Sequence, residues 1–334
     1  MRHALTVAVV GATAILLTAC TGSTPVADPV STTPSSTTTS STTAASSTTT
    51  ATSSTTTTTT SSKPAGSSTA PPAGRSGGGR CAAYPNPSCT GVPPGITLKT
   101  LASNVPDGDG YRVTDNGTVL DGVHIAGNLL ITAYNVTIRN SQIDGWVDDQ
   151  YGNSYYSFTI LDSTVGRPTG CDSLPGVGQG TFTARGVLVQ NHSHGFQAGG
   201  SDVSIHDSYA KICSNPGDHS DGIQSYGAGN NIVLDHNTLD ERGVKDITAP
   251  VFLTDQQNNV TVTNNLLAGG TYSIQVKNFG GTAVVTGNRM VDKSWEYAPV
   301  ESTCAQIQWS DNSVVTIDAD YAITSTVGPL PCAT

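Results

Sequence analysis

A short motif recurs between Val136 and Asn288 of this chain and narrows its fold more than any other feature: alternating β-branched residues, then Asn or Asp, a polar residue and another apolar one. It appears as Val136-Thr137-Ile138-Arg139-Asn140-Ser141, Phe158-Thr159-Ile160-Leu161-Asp162-Ser163 and Val203-Ser204-Ile205-His206-Asp207-Ser208. It returns as Ile232-Val233-Leu234-Asp235-His236-Asn237, Val260-Thr261-Val262-Thr263-Asn264-Asn265 and Ala283-Val284-Val285-Thr286-Gly287-Asn288. The matching positions Ile138, Ile160, Ile205, Leu234, Val262 and Val285 are 22, 45, 29, 28 and 23 residues apart. The longest gap spans two repeats, and Val187-Leu188-Val189 is the expected strand in the missing one. Short strands at such a period predict an all-β solenoid, a parallel β-helix whose coils each need a neighbour to bury their inner face. Asn and Asp suit its corners because they tolerate left-handed backbone. A β-sandwich is disfavoured, since its strands recur every 8–12 residues or so.

A second near-repeat points to a site. Residues 191–197 read Asn-His-Ser-His-Gly-Phe-Gln and residues 218–224 read Asp-His-Ser-Asp-Gly-Ile-Gln. Stacking them one coil apart sets His192 beside His219, Ser193 beside Ser220, His194 beside Asp221 and Gln197 beside Gln224, at a spacing of about 4.8 Å. Extending the alignment puts Asp218 next to Asn191 and near Asp246, with Lys245 from the same corner. The expected cluster is His192, His194, Asp218, His219, Asp221, Lys245 and Asp246. On the adjoining wall Phe196, Ile223, Phe252, Ile274 and Ile307 align as an inward stack. The residues that follow them, Gln197, Gln224, Leu253, Gln275 and Gln308, then face outward, as do Tyr226, Asp255, Lys277 and Ser310 two positions further on. Trp309 falls inward or at an edge. The outward Gln row reads either as a groove that hydrogen-bonds sugar hydroxyls or as an amide ladder between coils. Asp255 with Lys277 reads as a site pair or a surface ion pair.

The ends of the chain point outward from the cell. Met1-Arg2-His3 and the apolar run Ala4–Ala19 have the shape of a signal peptide over residues 1–19. Leu17-Thr18-Ala19-Cys20 resembles the bacterial lipobox, which implies cleavage before Cys20 and a lipid on its thiol; an ordinary secretory signal is the alternative. Residues 20–79 are mostly Ser, Thr, Ala, Pro and Gly and cannot bury enough apolar surface to fold, so they read as a stalk. Residues 80–334 form the domain. From Cys81 onward 11 Lys and Arg stand against 24 Asp and Glu, a balance of −13. That excess argues against a nucleic-acid partner. The six Cys after Cys20 favour disulfides and allow 15 pairings. Cys81–Cys89 makes a plausible local loop and Cys304–Cys332 a plausible closure of the C-terminal end.

Over about residues 95–330 the chain resembles the right-handed parallel β-helix superfamily that includes pectate lyases and polygalacturonases. Ser220-Asp221-Gly222-Ile223 is similar to the Asn-Thr-Asp-Gly strand of polygalacturonases, which implies an acid/base role for Asp221. Ile274-Gln275-Val276-Lys277 is similar to their Arg-Ile-Lys substrate-binding motif. Ile232-Val233-Leu234-Asp235-His236-Asn237 resembles the Trp-Ile-Asp-His region of pectate lyases, which implies that Asp235 binds calcium; ordinary corner chemistry is the alternative for Asp235-His236.

Three chemistries fit the residues. Glycoside hydrolysis needs two carboxylates, which Asp218, Asp221 and Asp246 offer. β-Elimination from a uronic-acid polymer needs a base, from His219, Lys245 or Lys277, and Ca2+ on Asp218, Asp221 and Asp235. A transition-metal centre on His192, His194, His219 and Asp221 is the third. The alternative without chemistry is a surface adhesin or polysaccharide binder. The expectation is a monomer tethered to the outer face of the bacterial cell membrane through Cys20, which binds and cleaves an extracellular polysaccharide. A trimer like that of tail-spike proteins is the other assembly considered. The strongest catalytic candidates are His219 and Asp221, then Asp218 and His194. Gln197, Gln224, Tyr226, Gln275 and Lys277 are the expected substrate contacts.

Overall fold

The structure, a computed structural model, describes residues 81–333. The leader 1–19, Cys20 and the stalk 20–79 lie outside the described residues. The domain is a parallel β-solenoid of about nine turns, each built from three short strands. One turn runs Tyr209–Ile212, Ser220–Ser225 and Asn230–Asp235, and the next runs Thr238–Asp240, Ile247–Leu253 and Asn258–Thr263. Strands stack in parallel on their counterparts: Tyr209 opposite Thr238, Ile223 opposite Val251, Ile232 opposite Val260. We call the wall that carries Ser220–Ser225 the first wall, that of Asn230–Asp235 the second, and that of Tyr209–Ile212 the third.

The recurring motif forms the second wall, a nine-stranded parallel sheet. Ile138, Ile160, Ile205, Leu234, Val262 and Val285 point inward and are at most 1% exposed. Each coil buries one such residue on the next, which is how stacking supplies the core. The coil missing from the sequence pattern is Phe182–Arg185, with Ala184 between Ile160 and Ile205. Val187-Leu188-Val189, expected there, starts the next third-wall strand, with Leu188 opposite Tyr209. Ala184 escaped the pattern because a small residue faces in where the other coils carry a branched one.

The corner between the second and third walls explains the Asn/Asp-polar pair of the motif. Asn140, Asp162, Asp207, His236 and Asn264 have φ between 44° and 57°. That left-handed turn is open to Asn and Asp because their short polar side chains bond locally. The next residue points inward and joins a ladder. Ser141, Ser163, Ser208, Asn237, Asn265, Asn288 and Asn312 are buried to 3% or less. Asn237 Nδ2 donates to Asn265 Oδ1, Asn265 Nδ2 to Asn288 Oδ1 and Asn288 Nδ2 to Asn312 Oδ1, all at 3.0 Å. His236 is corner chemistry: it takes the left-handed φ, bonds Asp207 and stacks on Tyr84.

The solenoid's C-terminal end is covered. Ile323–Pro329 pairs antiparallel with Ser313–Ile317, and Trp309 donates from Nε1 to the Leu330 carbonyl at 2.8 Å. Closing an edge this way removes a template for strand addition. The Cys81–Cys89 and Cys304–Cys332 disulfides are present, and the remaining pair is Cys171–Cys213. Among the described residues no helix is long and apolar enough to cross a membrane.

Candidate functional site

The near-repeat is one coil laid on another. His194 lies opposite Asp221, Phe196 opposite Ile223 and Gln197 opposite Gln224. Its Gly is required by close approach: a Cβ on Gly222 would collide with the Pro250 carbonyl oxygen, and one on Gly195 with that of Gly222. His192, by contrast, is not beside His219. It lies opposite Asp172 and Ile212, buried, with Nδ1 donating to the Leu174 carbonyl at 3.0 Å. His219 sits in a left-handed corner and is exposed. The transition-metal set of three His and Asp221 is thereby split.

A line of titratable groups runs inward from the corner between the third and first walls. Asp218, near the surface, accepts from the Asn215 backbone N–H at 2.9 Å and from the Ser173 hydroxyl at 2.9 Å. Burial raises its pKa, but these donors and the neighbouring His194 outweigh that and hold it below the usual value. Asn191, expected beside it, instead donates to the Arg167 carbonyl. His194 Nδ1 is 3.3 Å from Asp221 Oδ2. Asp221 has no exposed surface and accepts from the Ala249 N–H at 3.2 Å. Burial pushes its carboxyl up to about 6, against the pull of His194, the Ala249 amide and His219.

Behind it lies Glu241, which sequence reasoning missed. It follows the strand Thr238–Asp240, where Asp240 pairs outward with Lys211 and Arg242, and it is fully buried with neither carboxyl oxygen hydrogen-bonded. Burial, and then the neighbouring Asp221, raise its pKa well above the ordinary value; the Gly222 amide faces it without closing a hydrogen bond. A buried polar group without partners is rare and calls for an explanation. Asp149 is the internal contrast. It is also buried and raised to about 6 by desolvation, yet its carboxylate accepts from the Gln179, Gly180 and Thr181 amides at 2.5–3.1 Å, a structural staple. Glu241 has no such structural account. The run Asp240-Glu241-Arg242 was a visible signal, but alternation alone does not say that Glu241 turns toward Asp221.

Glu241 also lines a groove of about 640 Å³ on this corner, with His219, Lys245, Asp246, Thr271, Trp295 and Glu296 among its walls. The groove gathers His219, Lys245 and Asp246 as the sequence predicted, and adds Trp295 and Glu296 from the loop two coils beyond Lys245. A smaller cavity of about 310 Å³, lined by Asp144, Arg167, Asp172, Ser173 and His192, lies on the same corner. The Cys171–Cys213 disulfide ties the start of the strand Asp172–Val177, which carries Ser173, to the loop that carries Asn215 and Asp218. It closes a chain separation of 42 residues. Replacing both cysteines by serine is expected to remove about 4 kcal/mol of stability on the loop-entropy model. A urea titration of the double variant checks this.

Several expected neighbours are not neighbours. Asp235 belongs to the second wall, where it accepts from Thr263 and Asn264 and lies 3.8 Å from His206. Asp218, Asp221 and Asp235 therefore do not assemble a calcium site. Among the described residues no group of three or more His, Cys, Asp or Glu is arranged to hold a metal ion. Lys277 pairs with Glu301 at 2.7 Å, not with Asp255, which accepts from Ser225. On the first wall Val251, not Phe252, stacks on Ile223 and Ile274, and Phe252 lies between Gln224 and Gln275. The register shifts between Ser220 and Asp221, and one residue of slip turns Phe252 out and Leu253 in. Ile307-Gln308-Trp309-Ser310 belongs to the second wall, and Val300 continues the stack. Gln197 and Gln275 are buried, and Gln197 Nε2 reaches Gln224 Oε1 only at 3.5 Å, whereas Tyr226 is exposed. The chain matches no protein-family model, no curated protein and no solved structure.

Proposed function

We propose that the protein binds and cleaves an extracellular polysaccharide by acid–base hydrolysis at the corner groove, with Glu241 as proton donor and Asp221 as its partner carboxylate. One observation carries this reading: two fully buried carboxyls from neighbouring coils both have raised pKa values, Asp221 adds to the rise at Glu241, and Glu241 lines a groove. Glycoside hydrolysis runs on a carboxyl pair, and a low-polarity pocket is what keeps one member protonated near neutral pH. His194 stands 3.3 Å from Asp221, and His219 is exposed at the same corner. β-Elimination is less well supported, because Lys277 is held by Glu301 and the calcium ligands do not converge.

The complete burial of Asp221 and Glu241 favours a second reading, a non-catalytic glycan-binding surface. Export supports both readings. Three disulfides suit an oxidising compartment, and the leader with Cys20 would hold a monomer on the outer face of the cell membrane.

The test is incubation of the full chain with a polysaccharide panel, with calcium or with EDTA, reading reducing ends and the ultraviolet absorbance of unsaturated products. Hydrolysis predicts reducing ends alone, unaffected by EDTA. Absorbance that EDTA abolishes means a lyase, and binding without either signal means an adhesin. Hydrolysis should follow a bell-shaped pH profile. Its rising limb lies near pH 6, where Asp221 ionises, and its falling limb follows the raised pKa of Glu241.

A further inference from the structure

We propose that the corner groove takes an uncharged, hydroxyl-rich glycan, with Trp295 as its apolar platform and Asp246, Glu296 and Thr271 accepting from its hydroxyls. This rests on the glycan-cleaving reading of the same groove and names its substrate class. A polyuronate carries a carboxylate on every sugar and needs free cations or a bridging metal where it binds. The groove has two cationic residues, Arg242 and Lys245. Arg242 is spent: its Nε and Nη2 donate to Asp240 at 3.0 and 2.8 Å, and it lies over the Tyr321 ring at 5.2 Å. Lys211, from the neighbouring coil, is held by the same Asp240 at 3.3 Å and by the Arg242 carbonyl at 2.7 Å. Lys245 alone remains, against Asp246 and Glu296. In the smaller cavity Arg167 is outnumbered by Asp144 and Asp172. A polyanion would meet a surface at best neutral, with no metal-holding cluster among the described residues.

What the groove does offer suits a neutral sugar. Carboxylates and hydroxyls accept from sugar O–H groups. Trp295, half-buried against the core, presents an indole ring whose apolar face matches the C–H face of a pyranose. Glu241, its carboxyl oxygens buried and unpartnered, backs the groove wall. The groove volume of about 640 Å³ falls within the range of ligand pockets, roughly 300–1,000 Å³.

The test is affinity gel electrophoresis of the full chain carrying Glu241→Gln, so that binding is read without turnover. The gels contain starch, xylan, galactomannan or hydroxyethyl cellulose, or else polygalacturonate or alginate. Retardation by at least one neutral glycan is expected, unchanged by salt or EDTA. Trp295→Ala in that background should weaken it about tenfold or more, and Trp295→Phe should retain most of it. Retardation by the polyuronates alone, weakened by salt or dependent on calcium, overturns the neutral substrate class and leaves the carbohydrate reading standing. Full-strength binding by Trp295→Ala overturns the assignment of the platform. Retardation by neither set overturns the glycan reading itself.

Discussion

Asp221→Asn is expected to raise stability at neutral pH while it lowers turnover. The folded protein holds the Asp221 proton more tightly than the unfolded chain, because burial pushes its pKa from 3.8 to about 6. Folding stability therefore falls as pH rises through that interval, and the full deficit is present above it. At about 1.4 kcal/mol per unit the deficit is on the order of 3 kcal/mol. Asparagine keeps an oxygen for the Ala249 amide and removes the charge, so it should recover up to about 3 kcal/mol near pH 8 and close to nothing at pH 4. In a domain of this size that is roughly 5–10 °C in melting temperature. Turnover should drop by about two orders of magnitude or more. Thermal melts at the two pH values separate this from a packing effect, since a variant shifted equally at pH 4 and pH 8 would show that the Asp221 charge is not what strains the fold.

The second large effect lies in the buried amide ladder. Asn265→Ala removes the acceptor of the Asn237 N–H at 2.9 Å and of Asn237 Nδ2 at 3.0 Å. It also removes the donor to the Leu234 carbonyl at 3.1 Å and to Asn288 Oδ1 at 3.0 Å. All of these groups are buried, so water does not replace the lost partner. Asn237 Nδ2 still reaches the Ile205 carbonyl and Asn288 Oδ1 still accepts from the Asn265 N–H, so the loss falls on the Asn237 N–H and the Leu234 carbonyl, about 1–3 kcal/mol each and roughly 3 kcal/mol or more together. The urea midpoint should fall with little change in slope. Asn259→Gly, on the exposed ladder that bonds Asn231 at 3.3 Å and at a left-handed φ of 54° that glycine also takes, should lose under about 1 kcal/mol, because water takes over there.

The contrast between these two sites shows what could be read in the residues. The second wall and its corners were legible because each coil repeats the same local demand: an inward β-branched residue, then a residue that accepts left-handed backbone, then a ladder group. Local chemistry at a fixed period survives translation into structure. The opposition of His194 to Asp221 was legible for the same reason, carried by the Gly that close stacking requires. The first wall beyond Asp221 was not. A one-residue register shift beside Asp221 placed Val251 where Phe252 was expected, and period-two alternation has no way to signal a bulge. Glu241 was missed because its partner comes from a different wall of the neighbouring coil, at a separation the repeat does not encode. Asp235 was misplaced for the converse reason. It is close to Asp221 in sequence and lies on a different wall.

Turnover of Glu241→Gln against the natural protein, on whichever glycan the natural protein cleaves, tests the central claim most directly. The glutamine side chain would fill the same space without a proton to give. The account predicts a folded variant at least as stable as the natural protein near neutral pH, with cleavage reduced by about two orders of magnitude or more and glycan binding retained. A folded variant that cleaves at the natural rate would contradict it and leave Glu241 a buried acid without a catalytic part.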